Sequence, residues 1–353
     1  MKLKILLVLL CFSLILFCAC ESETTEPKIS YQNHLLKGDD VGIGFSSWKD
    51  ISIPVDAKSP TTIDYKQKLS FKGKTFWFNI LPSSTSIYEI LDNNIVVEKH
   101  NEQVNVLDFI FDPTERGFYN WYPELSSPRN NWGGIMKRIP NEMKNFKDKF
   151  HYLEIWLKIE EAPNDVILYI EFGRFSEDII LNGILDTEDK NNNDFIDNGE
   201  DIGLDGWTDE QERFELVIID TTHPSYQDPS NDNFYYMGEY NSDSYNKING
   251  IENNAKLTDY GTIPNTEDLN FNYYLDTQND YYQFALTLNK NNTASIKYFS
   301  QSGQNGWFKI KIPIDEPDKI IGNPNLKNVE MLRFWTTNAN NKVHLRIAAI
   351  YLI

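Results

Sequence analysis

The sequence predicts an all-β protein, a jelly-roll-like β-sandwich with long acidic loops. Three observations predict it. Apolar and polar residues alternate over many short runs, helical periodicity is scarce, and the stretches between runs are rich in Asn, Asp and Gly. The chain has 353 residues, 41% hydrophobic and 14% aromatic, enough for a substantial core, so global disorder is excluded. Lys and Arg number 33 against 52 Asp and Glu, a net charge of -19. Such a surface repels phosphate backbones and anionic headgroups, so no nucleic-acid partner is expected; it suits cations.

The chain starts with a processing signal. Lys2 and Lys4 form a basic end, and Ile5 to Ala19 is an apolar run too short for a comfortable membrane span. It ends Leu16-Phe17-Cys18-Ala19-Cys20, which resembles a bacterial lipobox, with cleavage before Cys20 and acylation of that thiol. An ordinary secretory signal is the alternative. The expected divisions are a signal peptide over 1–19, an acidic flexible tether from lipidated Cys20 over 20–35, and one sandwich domain over 36–353. Within that domain, 36–70 is less patterned and reads as an extra strand pair or an extended arm. The only cysteines are Cys11, Cys18 and Cys20, so no disulfide can staple the body. Stability must come from the core or from bound metal.

Period-two alternation then marks the strands in order. Leu153, Ile155, Leu157 and Ile159 share one face. Val166, Leu168, Ile170 and Phe172 share the next, followed by Phe214, Leu216 and Ile218. Tyr282 to Leu288, Phe308 to Ile312, Leu332 with Phe334, and Val343 to Ile347 complete the set. Trp156 is out of phase with its neighbours and should pack under a loop or touch a partner. Asn141–Phe150 is the best helix candidate. Long loops at 181–212 and 222–280 separate strands, and long loops in a compact domain are usually functional or ordered by metal.

The acidic loops carry the chemistry. Residues 189–200 match a twelve-residue Ca²⁺ loop by spacing. Asp189, Asn191 and Asn193 fall at positions 1, 3 and 5, the Phe195 carbonyl at 7, Asp197 at 9 and Glu200 at 12. Asp194 stands where Gly is usual, and Asp tolerates the left-handed backbone better than most residues. The next twelve residues match again through Asp201, Asp205, Asp209 and Glu212, with Gly203 removing one side-chain ligand. A third loop echoes the first. Thr187-Glu188-Asp189 is matched by Thr266-Glu267-Asp268, and Asp268, Asn270, Asn272 and Asp276 take positions 1, 3, 5 and 9. Asn279 at position 12 is a weak replacement for Glu. The cluster Asp228-Pro-Ser-Asn-Asp232-Asn233 reads as an oxygen-rich turn. Structural Ca²⁺ is the expected cofactor. The competing reading of each loop is a solvated acidic surface.

Several phrases resemble one family. Asn105-Val-Leu-Asp-Phe109, Glu115-Arg-Gly117 with Tyr119-Asn120, and Trp132-Gly-Gly-Ile-Met136 come first. The acidic run Thr187–Glu212, Asp228–Asp232, Ile248–Glu252 and Gly322-Asn-Pro-Asn-Leu326 follow in order. Their wording resembles the extra-membrane repeated domain of SprA, a Bacteroidota outer-membrane protein of gliding motility and type IX secretion, over roughly 70–353. The resemblance implies a cell-envelope location and contact with outer-membrane or secretion-complex proteins. It does not imply a secretion pore, because no run of amphipathic membrane strands is present.

No activity is expected. There is no His-Glu-x-x-His, no Gly-x-Ser-x-Gly and no phosphate-cradling Gly loop. The five His are scattered, and His151 and His344 lie in strand patterns. Two binding readings stand. One is a calcium-stabilised outer-membrane lipoprotein, on the cell surface or the periplasmic face, that contacts proteins of a secretion or motility complex. The other is a lipoprotein that binds surface glycan through exposed rings such as Trp77, Trp121, Tyr122, Trp132, Trp207, Tyr235 and Tyr236.

Overall fold

In a computed structural model the described residues are 38–80, 85–91, 102–122, 125, 127–215, 221–236, 245–255 and 263–353. The expected signal, the tether and Cys20 lie outside them. Two antiparallel sheets form the sandwich that the alternation predicts. The first sheet holds β1 (Asp39–Asp40), β3 (Gly73–Ile80), β4 (Val106–Arg116), β6 (Tyr152–Glu161), β9 (Phe299–Ser302), β10 (Trp307–Pro313) and β13 (Val343–Leu352). Its order is β3-β4-β13-β6-β10-β9, with β1 added on β13. The second holds β2 (Lys49–Asp50), β5 (Trp132–Arg138), β7 (Ile167–Arg174), β8 (Asp280–Thr287), β11 (Lys319–Ile321) and β12 (Met331–Thr337). Its order is β11-β8-β7-β12-β5-β2.

The sequence pattern explains why these residues form strands. Leu153, Ile155, Leu157 and Ile159 on β6 meet Leu168, Ile170 and Phe172 on β7 in one core between the sheets, joined by Phe284, Leu286, Leu332 and Phe334. Each such side chain removed from water contributes about 1.5–3 kcal/mol before entropy is subtracted. Residues 38–70 contribute two short strands, β1 on β13 and β2 on β5, which lie in different sheets and do not pair with each other. Trp156 faces away from that core and is buried with Ile87, Ile90 and Trp307, so it packs under a covering segment as its phase predicted.

Two elements differ from expectation. Asn141–Phe150 is not one helix but a 3-10 turn, Asn141–Met143, followed by one helical turn, Phe146–Lys149. Phe214 is not on a strand. A reciprocal cap between Thr208 and Gln211 starts a helical turn over Asp209–Glu212 that continues as a 3-10 turn over Arg213–Glu215, leaving the Phe214 ring exposed. Leu216 and Ile218 lie outside the described residues.

Strands β7 and β8 pair from Arg174↔Asp280 onward, yet the chain between them, 175–279, makes a long excursion. It is fastened over the second sheet by an apolar patch. Phe175, Ile179, Ile180, Leu204 and Leu269 from the excursion pack with Trp132, Met136, Tyr281, Met331 and Trp335 from the strands. This fastening fixes where the acidic loops sit. Among the described residues, no helix is long and apolar enough to cross a membrane.

Candidate metal centre

The first loop folds as its spacing dictates. Asp189 accepts the Asn193 and Asp194 amides on its two oxygens, at 3.0 and 2.8 Å. That tight turn needs left-handed backbone, and Asn192 and Asp194 supply it at φ 57° and 63°. Glu200 closes the loop by accepting the Lys190 and Asp197 amides, at 3.2 and 2.8 Å. Asn191 and Asn193 reach the same oxygen of Asp197, at 2.7 and 2.9 Å. Asp189, Asn191, Asn193, Asp197 and Glu200 are therefore gathered into one network. The Phe195 side chain points away from it and is exposed.

The third loop repeats this bond for bond. Asp268 accepts the Asn272 and Tyr273 amides, at 3.0 and 2.6 Å. Phe271 and Tyr273 take φ 61° and 64°. Asn270 and Asn272 both reach one oxygen of Asp276, at 2.6 and 3.0 Å. The missing acid at position 12 comes from elsewhere. Glu177, just after β7, accepts the Leu269 and Asp276 amides at 3.1 and 3.3 Å, the counterparts of Lys190 and Asp197. Asn279 instead accepts from the Ser176 amide.

The Thr-Glu-Asp triplets weld the two loops together. Thr187 and Thr266 form an antiparallel bridge. Each threonine hydroxyl accepts the amide of its own Asp189 or Asp268. Glu188 is fully buried and accepts from the Gly203 amide and from both nitrogens of Asn265. Glu267, also fully buried, accepts the Ile179, Ile180 and Asp186 amides. Both glutamates act as struts across the excursion. Amide donors favour their charged forms, but burial outweighs the amides, holding Glu188 up at about 7 and Glu267 at about 8.

The middle loop, 201–212, is rearranged. Asp201 accepts the Asn254 and Ala255 amides, and Asp209 accepts the Asn233 side chain on both oxygens. What converges is Asp205, Glu212 and Asp232, with one oxygen from each within 4.8 Å of the others. Asp232 belongs to the Asp228–Asn233 cluster, which the sequence reads first as an oxygen-rich turn and second as a calcium site. Spacing along the chain gives no sign of it, because the turn must fold back over the loop to bring it in. Asp232 accepts the Ser230 hydroxyl at 2.6 Å and the Tyr119 hydroxyl at 3.1 Å. Glu212 accepts the Ser230 amide on one oxygen. Its other oxygen, and one oxygen each of Asp205 and Glu252, are buried without a hydrogen-bond donor.

Three buried carboxylates at this spacing repel one another, and orphaned buried acceptors are costly. Burial first, and mutual repulsion second, push Asp205 up to about 8, and burial against nearby acids pushes Glu212 to about 7 and Glu252 to about 8. Arg116 offsets part of this charge, but its guanidinium is committed to the carbonyls of Asn120, Asp228 and Pro229. The donor set is all hard oxygen, which is the chemistry of Ca²⁺ and Mg²⁺ rather than of softer metals.

Two outcomes are expected here. Without metal, these carboxyls hold protons in the fold that they release when unfolded. Stability is therefore greatest below their ordinary range near 4.5 and falls as pH rises toward about 8. Melting in chelator across that window should show this slope, and added Ca²⁺ should flatten it. Second, Gly203 has φ +77°, and a Cβ there would sit 2.0 Å from an Asp232 oxygen. Gly203→Ala should cost about 1–3 kcal/mol in denaturant titration and weaken cation binding at the trio more than at the first loop.

Comparisons with known proteins are consistent with the resemblance in the sequence. Residues 184–353 match the SprA_N family, described as a motility related/secretion protein. The match takes in the acidic excursion from Ile184 onward and β8 to β13. No curated protein matches the chain. Among solved structures, the chain is similar to a family 11 carbohydrate-binding module from Clostridium thermocellum in complex with a β-1,3-1,4-mixed-linked tetrasaccharide. Identity is 9% and the TM-score 0.33, over 90% of this chain and 94% of that one, a likeness too loose to carry a functional statement.

Proposed function

We propose that this chain is a non-catalytic, calcium-braced sandwich of the bacterial cell envelope that engages proteins of motility or secretion machinery. The family match over 184–353 supports the machinery part. The observation that carries the calcium part is the trio Asp205, Glu212 and Asp232, in which Asp205 and Glu212 each keep a buried oxygen that lacks a donor. A Ca²⁺ ion would take those oxygens as ligands, with water completing its shell. In the two matched loops it would sit among the position 1, 3, 5 and 9 side chains, with Glu200 or Glu177 as the acid that closes the site. Asn191, Asn193, Asn270 and Asn272 would turn their amide oxygens inward.

The role of the ion in this reading is to hold structure, not to react. The loops lie within the excursion that the apolar patch fastens over the second sheet, so metal binding there would be coupled to the folding of that face. Lipid at Cys20 would tether the domain to the outer membrane. The glycan reading is less favoured, because Trp77, Trp121 and Trp132 are buried and only Tyr235 of the candidate rings is largely exposed.

Affinity capture of the full chain from detergent-solubilised membranes, with Ca²⁺ present, tests the interaction part. Recovery of outer-membrane motility or secretion proteins, lost when chelator is added, is the expected result. Capture of no envelope protein in either condition would overturn it.

A further inference from the structure

The third loop copies the backbone of the first but not its side chains. Where the first places Asn192 and Asp194 in left-handed backbone, the third places Phe271 and Tyr273. Asn and Asp suit that conformation, whereas a bulky aromatic residue holds it under strain. Burial does not offset the strain. Phe271, Tyr273 and the adjoining Tyr274 are 69%, 71% and 75% exposed. The base of the loop is fixed by contrast. Leu269 is buried in the apolar patch, and Glu177 accepts the Leu269 and Asp276 amides. Strained, exposed rings on a fixed base mark a contact surface that the fold itself does not need.

Where these rings sit points to what they meet. The Phe271 ring lies 5.7 Å from the guanidinium of Arg138, which ends β5 opposite Met331, and Met331 pairs with Gly173 near the end of β7. The rings are therefore at the end of the sandwich where β7 gives way to the excursion. Segment 144–151 spans both sheets at this end, with the Lys144 carbonyl accepting from Val329 and the His151 amide donating to Ile353. The chain enters the described body at the same end, where Asp39 pairs with Leu352 beside the start of β6. About 18 residues separate that entry from Cys20, a reach of roughly 60 Å at full stretch. We propose that Phe271, Tyr273 and Tyr274 seat this end of the protein in the interfacial zone of the bilayer that holds its anchor, which rests on the reading of Cys20 as lipidated. Aromatic side chains favour that zone, between headgroups and acyl chains. The acidic loops and the net charge of -19 disfavour an anionic surface, so the fitting one is zwitterionic. Exposed Lys147 and Lys149 stand at the same end and can meet lipid phosphate.

The test uses the full chain after processing, on phosphatidylcholine vesicles with Ca²⁺ present. Tyr274→Cys carries a polarity-sensitive nitrobenzoxadiazole label, and Asn291→Cys, exposed beyond β8 at the opposite end, carries the same label as control. With Cys20 acylated, the introduced thiol is the one that reacts. Flotation reads anchoring, and a blue shift of emission reads entry of the label into the bilayer. The expected result is flotation of both proteins with a blue shift at Tyr274→Cys alone. Adding Phe271→Asn and Tyr273→Asp, the residue types of the first loop, should remove the shift and leave the melting temperature unchanged or higher. Flotation without a shift at the loop, or with equal shifts at both labels, overturns the proposal and leaves the lipid anchor standing. No flotation overturns both. A shift that survives the double substitution, or one that needs solubilised envelope proteins in place of lipid, would take the rings out of the bilayer and equally overturn it.

Discussion

Glu171→Gln lowers the unfolding free energy by about 3–5 kcal/mol, among the largest single-residue effects expected in this fold. Glu171 on β7 and Arg333 on β12 are both fully buried and meet at 2.6 Å. The other Glu171 oxygen accepts from Gln283 at 2.8 Å and from the Trp335 indole at 2.9 Å. The Arg333 guanidinium lies 4.0 Å from the Phe175 ring centre and 4.9 Å from that of Tyr281. These rings belong to the apolar patch that fastens the excursion. Neutralising Glu171 strands a guanidinium among aromatic side chains, where no water can replace the lost partner. The cost comes from that stranded charge, not from the net worth of the pair. The double variant Glu171→Leu with Arg333→Met should therefore be less destabilised than either single one. Urea titration followed by circular dichroism reads both effects. Additive losses would show that the two residues do not act as a pair.

Chelation should have an effect of similar or greater size. A ligand at a hundred times its Kd stabilises the state that binds it by about 2.7 kcal/mol per site. Three such sites give about 8 kcal/mol, and a melting temperature higher on the order of 10 °C or more. Asp189→Ala and Glu200→Ala should each remove the share of one site, as should Glu212→Gln. Loss of stability on chelation should be steepest where the carboxyls are ionised, at neutral pH and above. A melting temperature unmoved by millimolar Ca²⁺ would leave the loops as solvated acidic surface.

Much of this structure was legible in the sequence, and the particular residues show why. Period-two runs located β6, β7, β8, β10, β12 and β13, because each strand buries one face between the sheets. Loop spacing singled out Asp189, Asn191, Asn193, Asp197 and Glu200, and the structure ties these five into one hydrogen-bond network, because their contacts all lie within twelve residues. The strand order was not legible. β13 lies between β4 and β6, and pairing over such separations is decided by the whole core. The same limit hid Glu177 and Asp232. Each enters a site formed by a distant segment, Glu177 replacing the acid that Asn279 cannot supply and Asp232 completing a trio that Asp201 and Asp209 do not join. Phe214 misled because a side-chain cap at Thr208 outweighed a weak alternation. The sequence signal that most nearly revealed the tertiary arrangement was the repeated Thr-Glu-Asp triplet, whose two copies form the weld between the loops.

The most direct test of the account is the number of Ca²⁺ ions bound per chain, read by native mass spectrometry of the full chain in its unaltered form and as Glu177→Gln and Asp232→Asn. The account predicts three ions for the unaltered chain. It predicts one fewer for each variant, because Glu177 closes the third loop and Asp232 completes the trio. A count that neither substitution changes, or no bound Ca²⁺ at all, would contradict it.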